Sequence, residues 1–417
     1  MTIYINPNVI GIHYFGECSI IEFQDEEYIL NPAKSLVMDM VLNNSGIEIE
    51  KWSLLDANIE YRDELRQAAL FFIESELGQK LFTTTAPLTQ SGSILKITGK
   101  TQHYYPKKIS IELTNKCNLY CSHCYKEAND GNVSSMNKDK IFSFLHKYKG
   151  LIPAIHLTGG EPLVAPYLEE LIEEFKHYYQ IELSSNGTLL HTLKKSTLAS
   201  TSNISLTLYG LSDEQYKLNT GNAKGFSMLQ KSCLLLKEMN KSFKMNVVMN
   251  KQVLQRIDSY IECAISLGAN VLNIGAPLSV GRLTQSASVD DWMLTETELN
   301  KVFRTIQKSQ LHYTDQIKIL PWERDIYYNA SDYREEMQNI YSSPCLACGA
   351  GNRTWGLSET FNFTPCIIYK DLYNLNLTSW EEYVEGGLKI DWNEVTTTYR
   401  NNCQQHSTCN RMIIFQK

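Results

Sequence analysis

The stretch Cys117-Asn-Leu-Tyr-Cys121-Ser-His-Cys124 places three thiols within eight residues, in the spacing CxxxCxxC. Thiolates are soft ligands suited to zinc or to iron–sulfur clusters. A closed structural zinc site takes four ligands and a disulfide takes two, so three thiols satisfy neither by themselves. A four-iron, four-sulfur cluster held by three cysteines leaves one iron without a protein ligand, and that iron can bind a small molecule. A second group, Cys345, Cys348, Cys366, Cys403 and Cys409, lies toward the end of the chain and suggests a second metal site, for which zinc and iron–sulfur chemistry are both open. Cys18, Cys233 and Cys263 stand singly in apolar stretches and read as small buried hydrophobes.

Loops further along carry residue types suited to holding a small polar ligand. Gly159-Gly160-Glu161-Pro162, Ser185-Asn186-Gly187-Thr188 and Thr207-Leu208-Tyr209-Gly210 each follow a short apolar or β-branched run, and Asn250 and Gly275 close two later runs. The runs are "KISIELT", "AIHLTGG", "QIELSSNG", "NISLTLYG", "FKMNVVMN" and "NVLNIGAP". Between them lie helical patterns such as Leu168, Leu171, Ile172 and Phe175. Alternation of this kind implies βαβ units in a parallel sheet, with chemistry at the strand C-terminal ends. Six strands are fewer than a closed eight-stranded barrel needs, so the expected α/β fold is a partial (β/α)6 parallel barrel over residues 107–322.

With its CxxxCxxC loop after the first strand and its GGEP loop after the second, the chain resembles the radical S-adenosylmethionine (SAM) enzymes. The resemblance implies a four-iron cluster on Cys117, Cys121 and Cys124. It also implies a SAM site in which Gly159 and Gly160 let the backbone approach the methionine end, Glu161 accepts from its ammonium, and Ser185 and Thr207 lie near the ribose. Asn250 and Gly275 are expected to shape the adenine pocket. Reduction of the cluster would cleave SAM to a 5′-deoxyadenosyl radical, with electrons from a donor such as flavodoxin or ferredoxin. His123 and Tyr125 are expected to pack around the cluster.

The later cysteines occupy residues 323–417, which resemble the SPASM or twitch extension of radical enzymes that act on peptides. In that setting the site is expected to hold one auxiliary four-iron cluster on Cys348, Cys366, Cys403 and Cys409, with Cys345 competing for a place. The pattern departs from a complete SPASM extension: Phe361 stands where a glycine is usual, and Arg400 and Ile413 stand where further cysteines flank the C-x5-C pair. Five cysteines cannot complete two four-cysteine clusters, so the twitch type is expected.

Residues 1–85 begin with strand-like "GIHYFG", "SIIEF" and "EEYIL", the last two joined through Gln24-Asp25-Glu26. Asn31 and Pro32 then mark a helix start, with Leu36, Val37, Met40 and Val41 on one face. A second run, Leu65, Ala68, Ala69, Phe72 and Ile73, is expected to end near Gly78, and a linker is expected over 86–106. This small winged-helix-like α+β unit resembles the PqqD-like element that binds the leader of a ribosomal precursor peptide.

With 43% hydrophobic and 20% charged residues the chain has the composition of an ordinary globular protein, and its length suggests two or three domains. A net charge of -7 without a lysine or arginine block argues against a nucleic-acid partner. Neither an export signal nor a membrane-length apolar run is evident, so a cytoplasmic protein without a membrane partner is expected. The whole resembles a peptide maturase of the sactipeptide group, which forms thioethers from cysteine sulfur to a peptide carbon; the segment "APLSVGRLTQ" around Arg282 adds to that likeness. Carbon–carbon crosslinking and epimerisation remain open on the same architecture, as does a non-catalytic iron–sulfur sensor.

Overall fold

The computed structural model describes residues 2–320 and 350–398, apart from 25, 49–61, 87–94, 132, 276, 278–279, 286–288, 352, 393 and 396–397. The chain divides into two compact units. One comprises Met1–Lys107, Gly150–Pro153 and Glu381–Lys389; the other comprises Lys108–Lys149, Ala154–Trp380 and Ile390–Lys417.

In the first unit the strands are β1 (Thr2–Ile5), β2 (Val9–Phe15), β3 (Cys18–Phe23), β4 (Glu26–Leu30), β5 (Ile47–Glu48), β6 (Phe82–Thr83) and β7 (Lys96–Gly99). β2, β3 and β4 form the expected antiparallel meander, in a sheet of order β4-β3-β2-β7. The short β1 joins β5 and β6 in a second small sheet. β7 lies inside the stretch expected to be a linker and runs parallel to β2, with Ile12 opposite Ile97. The four-residue run "KITG" is too short for its alternation to stand out among the neighbouring turn residues.

The helix Pro32–Asn43 starts as expected, because the Asn31 side chain accepts from Lys34 N at 3.0 Å and Pro32 has no N–H to leave unpaired. Its buried stripe is Val37, Met38 and Val41, whereas Leu36 is 47% exposed. The two stripes differ by a small rotation of the helix, and packing against Ile12, Ile21 and Leu30 selects the one containing Met38. The helix Arg62–Glu74 buries Ala69, Phe72 and Ile73 in the same core. Gly78 does not end it: Ser75 does, and caps a new helix, Glu76–Leu81. A Cβ on Gly78 would lie 2.0 Å from Phe72 O, so glycine there permits the close approach of the two helices.

The second unit holds the six expected strands, β8 (Lys108–Glu112), β9 (Ala154–Thr158), β10 (Gln180–Ser185), β11 (Asn203–Thr207), β12 (Lys244–Val248) and β13 (Val271–Gly275). They are parallel and lie side by side in chain order. β14 (Lys318–Ile319) extends the sheet beyond β13, while β15 (Thr354–Leu357) runs parallel beside β8 and carries the antiparallel β16 (Phe363–Thr364). Among the described residues the ends of the sheet are not paired to each other, as expected of an open rather than closed barrel. Ile111, Leu157, Leu183 and Ile204 stand in one row across four strands and are essentially inaccessible. Helix Leu168–Phe175 buries all four residues of its expected stripe.

The alternate residues of these strands are polar and hydrogen-bond across the sheet. His156 lies 3.2 Å from Ser110 Oγ through Nδ1 and 2.7 Å from Ser184 Oγ through Nε2, and Asn273 donates to Asn246 at 3.3 Å. The sheet thus has an apolar face for packing and a polar face for a ligand.

Candidate active site

The loop between β8 and the helix Lys138–Tyr148 carries Cys117, Cys121 and Cys124, without regular structure over the cysteines. Asn129 fixes its start, accepting from Cys117 N at 2.8 Å and donating to Cys117 O at 2.9 Å and Leu119 O at 3.2 Å. Backbone N–H groups of Leu119 and Ala128 point at the sulfurs of Cys117 and Cys124, each at 3.4 Å. Such N–H groups favour thiolates and tune a cluster they ligate. Burial pushes the Cys117 thiol up to about 11, and burial with the neighbouring thiols pushes Cys121 higher still, so a ligand must displace their protons.

All three cysteines line one cavity of about 350 Å³. Among the described residues, no three His, Cys, Asp or Glu side chains converge closely enough to hold a single metal ion.

The Gly159-Gly160 turn is stitched to the cysteine loop: Gly160 N donates to Thr114 O at 2.7 Å and Glu161 N donates to Lys116 O at 2.8 Å. A Cβ at Gly159 (φ +135°) would lie 2.5 Å from Thr114 O, and one at Gly160 2.3 Å from Lys116 O. The glycines therefore serve first to seat one loop on the other, and both line the cavity. Glu161, expected to meet a ligand ammonium, is instead fully buried and does not line the cavity. Its carboxylate accepts from Ser185 Oγ at 2.9 Å, Asn186 N at 2.8 Å and Leu163 N at 3.2 Å. Burial raises its pKa to about 7 against the pull of those donors.

Ser185 and Thr207 line the cavity. Asn250 and Gly275 do not: Asn250 caps the helix Lys251–Gln255 through Val253 N, and Gly275 O accepts from Met249 N. Asn246 and Val248, on the strand itself, take the lining positions instead. Asn186 and Tyr209, in the two loops singled out after the third and fourth strands, also line the cavity, whereas His156, Asn246 and Val248 sit within strands and were not singled out. The polar alternation Ser110, His156, Ser184, Asn246 within otherwise apolar strands was the available signal. Asn186 also donates toward Cys117 Sγ at 3.8 Å and to Asn118 at 2.8 Å, tying the third loop to the first. His123 packs against Trp292 with centroids 4.0 Å apart and the rings tilted by 33°, and its pKa is lowered by burial to about 4, so it is neutral near pH 7.

Two later segments grip the cysteine loop. Arg282 donates to Cys121 O at 2.6 Å and Ala128 O at 2.5 Å, pairs with Asp130 at 2.9 Å, and lies 3.6 Å above the Tyr120 ring. Gly281 beside it is in the left-handed region (φ +62°), with room for no Cβ against Cys124 O and Tyr125 O. Lys126, which lines the cavity, sits 2.6 Å from Glu112 and 2.8 Å from Glu359, all three almost wholly buried.

Of the C-terminal cysteines only Cys366 is described, following the β15–β16 hairpin; Cys345, Cys348, Cys403 and Cys409 lie outside the described residues. Phe361, at the position where a glycine is usual in the extension, has φ +65°, the backbone conformation that glycine adopts without strain.

Residues 111–264 match the family model described as the radical SAM superfamily. The chain is 22% identical over 276 residues to the sporulation killing factor maturation protein SkfB of Bacillus subtilis, covering 65% of this chain and 63% of that protein, less than two thirds of its length. A probable GTP 3′,8-cyclase of Saccharolobus islandicus is 26% identical over 269 residues, covering 63% of this chain and 83% of its own. SuiB of Streptococcus suis, in a crystal structure bound to precursor peptide SuiA, is similar in fold with a TM-score of 0.61 at 15% identity, over 99% of this chain and 94% of that one. The native anSMEcpe structure with bound AdoMet and Cp18Cys peptide gives 0.52 at 16% identity, over 73% and 88%. The three cysteines after the first parallel strand and the glycine loop seated on them lie within the stretch that matches the radical SAM superfamily model.

Proposed function

We propose that the protein is a radical SAM maturase that modifies a ribosomally made precursor peptide, forming a thioether between a cysteine sulfur and a peptide carbon. The observation that carries the peptide assignment is the likeness of fold across 99% of the chain to an enzyme crystallised with its precursor peptide. The antiparallel first unit supports it, since β4 is an edge strand along which an extended leader can pair. The relative named as a maturation protein supports it further.

Cys117, Cys121 and Cys124 would hold three irons of a four-iron cluster, leaving the fourth to SAM. When bound, that pair supplies reductive cleavage to a 5′-deoxyadenosyl radical able to take hydrogen from a C–H bond. The chain itself positions and shields: Ser185, Asn186, Thr207 and Asn246 offer polar atoms along the cavity, and His123, Tyr209 and Val248 cover its wall. Glu161 fixes the Ser185–Asn186 turn from behind. Cys348, Cys366, Cys403 and Cys409, with Cys345 competing for a place, are proposed to hold one auxiliary cluster that accepts the electron released as the new bond forms.

The test is anaerobic incubation of reconstituted enzyme, SAM and reductant with synthetic cysteine-containing peptides drawn from the short open reading frames that neighbour its gene, followed by tandem mass spectrometry. The thioether reading expects loss of two hydrogens and one cysteine resistant to alkylation. The same loss with every cysteine alkylatable replaces it by a carbon–carbon crosslink, and solvent deuterium without that loss replaces it by epimerisation.

A further inference from the structure

Two histidines within the sheets are held differently. His13 has a hydroxyl at one ring nitrogen, Thr98 Oγ1 at 3.0 Å, and a backbone carbonyl at the other, Tyr105 O at 3.0 Å. A carbonyl only accepts, so it fixes the tautomer. His156 has a hydroxyl at each end, with Ser184 Oγ 2.7 Å from Nε2 and Ser110 Oγ 3.2 Å from Nδ1. A hydroxyl both donates and accepts, so either tautomer of His156 keeps both bonds.

The row of three begins in the cavity and leads away from it. His156 and Ser184 line the cavity, whereas Ser110 does not. Glu182 stands opposite His156 in register on β10, and both its carboxylate oxygens lie 2.9 Å from Lys108 Nζ, two residues before Ser110 on β8. The Lys108 and Glu182 side chains are 32% and 26% exposed, so the polar face reaches solvent at that pair. Burial lowers the His156 pKa to about 4, with Glu182 pulling it up and Lys108 and Lys244 adding to the fall. A ring that resists staying charged gives up one proton as it takes another.

We propose that Ser184, His156 and Ser110 relay a proton from the cavity toward the Lys108–Glu182 pair and solvent, and that this is the proton shed by the substrate's cysteine thiol. The inference rests on the thioether reading above. In that reaction a peptide C–H hydrogen leaves as an atom to the deoxyadenosyl radical, the S–C bond forms, and one electron passes to an iron–sulfur acceptor. The thiol hydrogen therefore leaves as a proton. Ser184 Oγ takes it and gives its own to Nε2, and Nδ1 releases one to Ser110, which leaves the ring neutral. Both hops lie within hydrogen-bond reach.

The test uses the full-length reconstituted protein with the same synthetic cysteine-containing peptides, and reads 5′-deoxyadenosine formed per thioether formed. His156→Gln keeps a donor and an acceptor in the row but cannot exchange tautomers, and Ser110→Ala removes the hydroxyl outside the cavity. Each is expected to raise the ratio at least ~10-fold, because hydrogen abstraction goes on while the unclosed carbon radical is reduced back to C–H by the excess reductant. In D2O the thioether rate of both variants should fall by a larger factor than that of the parent. Ser110→Thr, which keeps the hydroxyl, should return the ratio to the parent value. Loss of both products together at the parent ratio would overturn the relay, as would equal ratios for Ser110→Ala and Ser110→Thr. A parent enzyme that cleaves SAM yet leaves every peptide cysteine alkylatable would overturn the thioether reading and the thiol relay together.

Discussion

Glu161 is the buried acid on which the third loop hangs, and its protonation is set by its surroundings. Its pKa in the fold is about 7, above the 4.5 of the free side chain, so the folded protein holds this proton more tightly than the unfolded chain. Stability from this group is therefore full below about pH 4.5 and is lost as pH rises toward 7. In the ligand-free protein, Glu161→Gln should remove that slope. Denaturant titrations at pH 5 and pH 8 should differ between parent and variant by up to ~3 kcal/mol. Arg282 acts through the backbone of the cysteine loop, as a positioning residue. Arg282→Ala would strand Cys121 O and Ala128 O at about 1–3 kcal/mol each, and the cluster should be lost or show an altered paramagnetic spectrum after reduction. Arg282→Lys, which keeps the charge but not the fork, should rescue iron content only in part. The cysteines were legible in the sequence because their spacing is itself the signal. Asn250 and Gly275 stand at strand ends as the sequence suggests, yet neither lines the cavity, since a strand-end residue can cap the next helix as readily as face a ligand.

The β-strand and loop pattern was the most legible part of the molecule, since each of β8 to β13 is a short apolar run ended by a turn, and all six were found where expected. β7 and β14 escaped notice because four and two residues carry too little alternation, and their strand character comes from the neighbour they pair with. The glycine loop shows the same dependence on a partner. Gly160→Ala would drive a Cβ against Lys116 O, a backbone atom that cannot swing away, so the expected loss is about 1–3 kcal/mol. Because that strain falls on the segment leading into Cys117, iron retention should fall with it. A variant melting as the parent and keeping its iron would show that the two loops can separate without consequence.

At the scale of the whole molecule, the first unit is not one continuous piece of chain. Gly99 N donates to Leu151 O at 2.9 Å and Tyr104 N to Val384 O at 2.7 Å, both acceptors supplied by the two later segments that complete the unit. A fragment of residues 1–85 also lacks β7 and leaves the edge of β2 unpaired. Thermal melts followed by circular dichroism should show no cooperative transition for that fragment and a cooperative one for the full chain. A sharp melt for 1–85 would mean that the meander and its helices suffice. This interleaving was invisible in the sequence, where composition shifts suggest consecutive domains and nothing marks a distant segment as belonging to an earlier one. The grip on the cysteine loop has a similar reach, and it bears on timing. The loop precedes Arg282, the partner of its Cys121 carbonyl, by 161 residues, and Lys126 precedes Glu359 by 233. At translation rates of roughly 5–20 residues per second, the thiols leave the ribosome on the order of ten seconds or more before Glu359 is made. During that interval they belong to an unfinished chain, exposed to oxygen and to stray metal, so the ordered cysteine loop is a product of late folding.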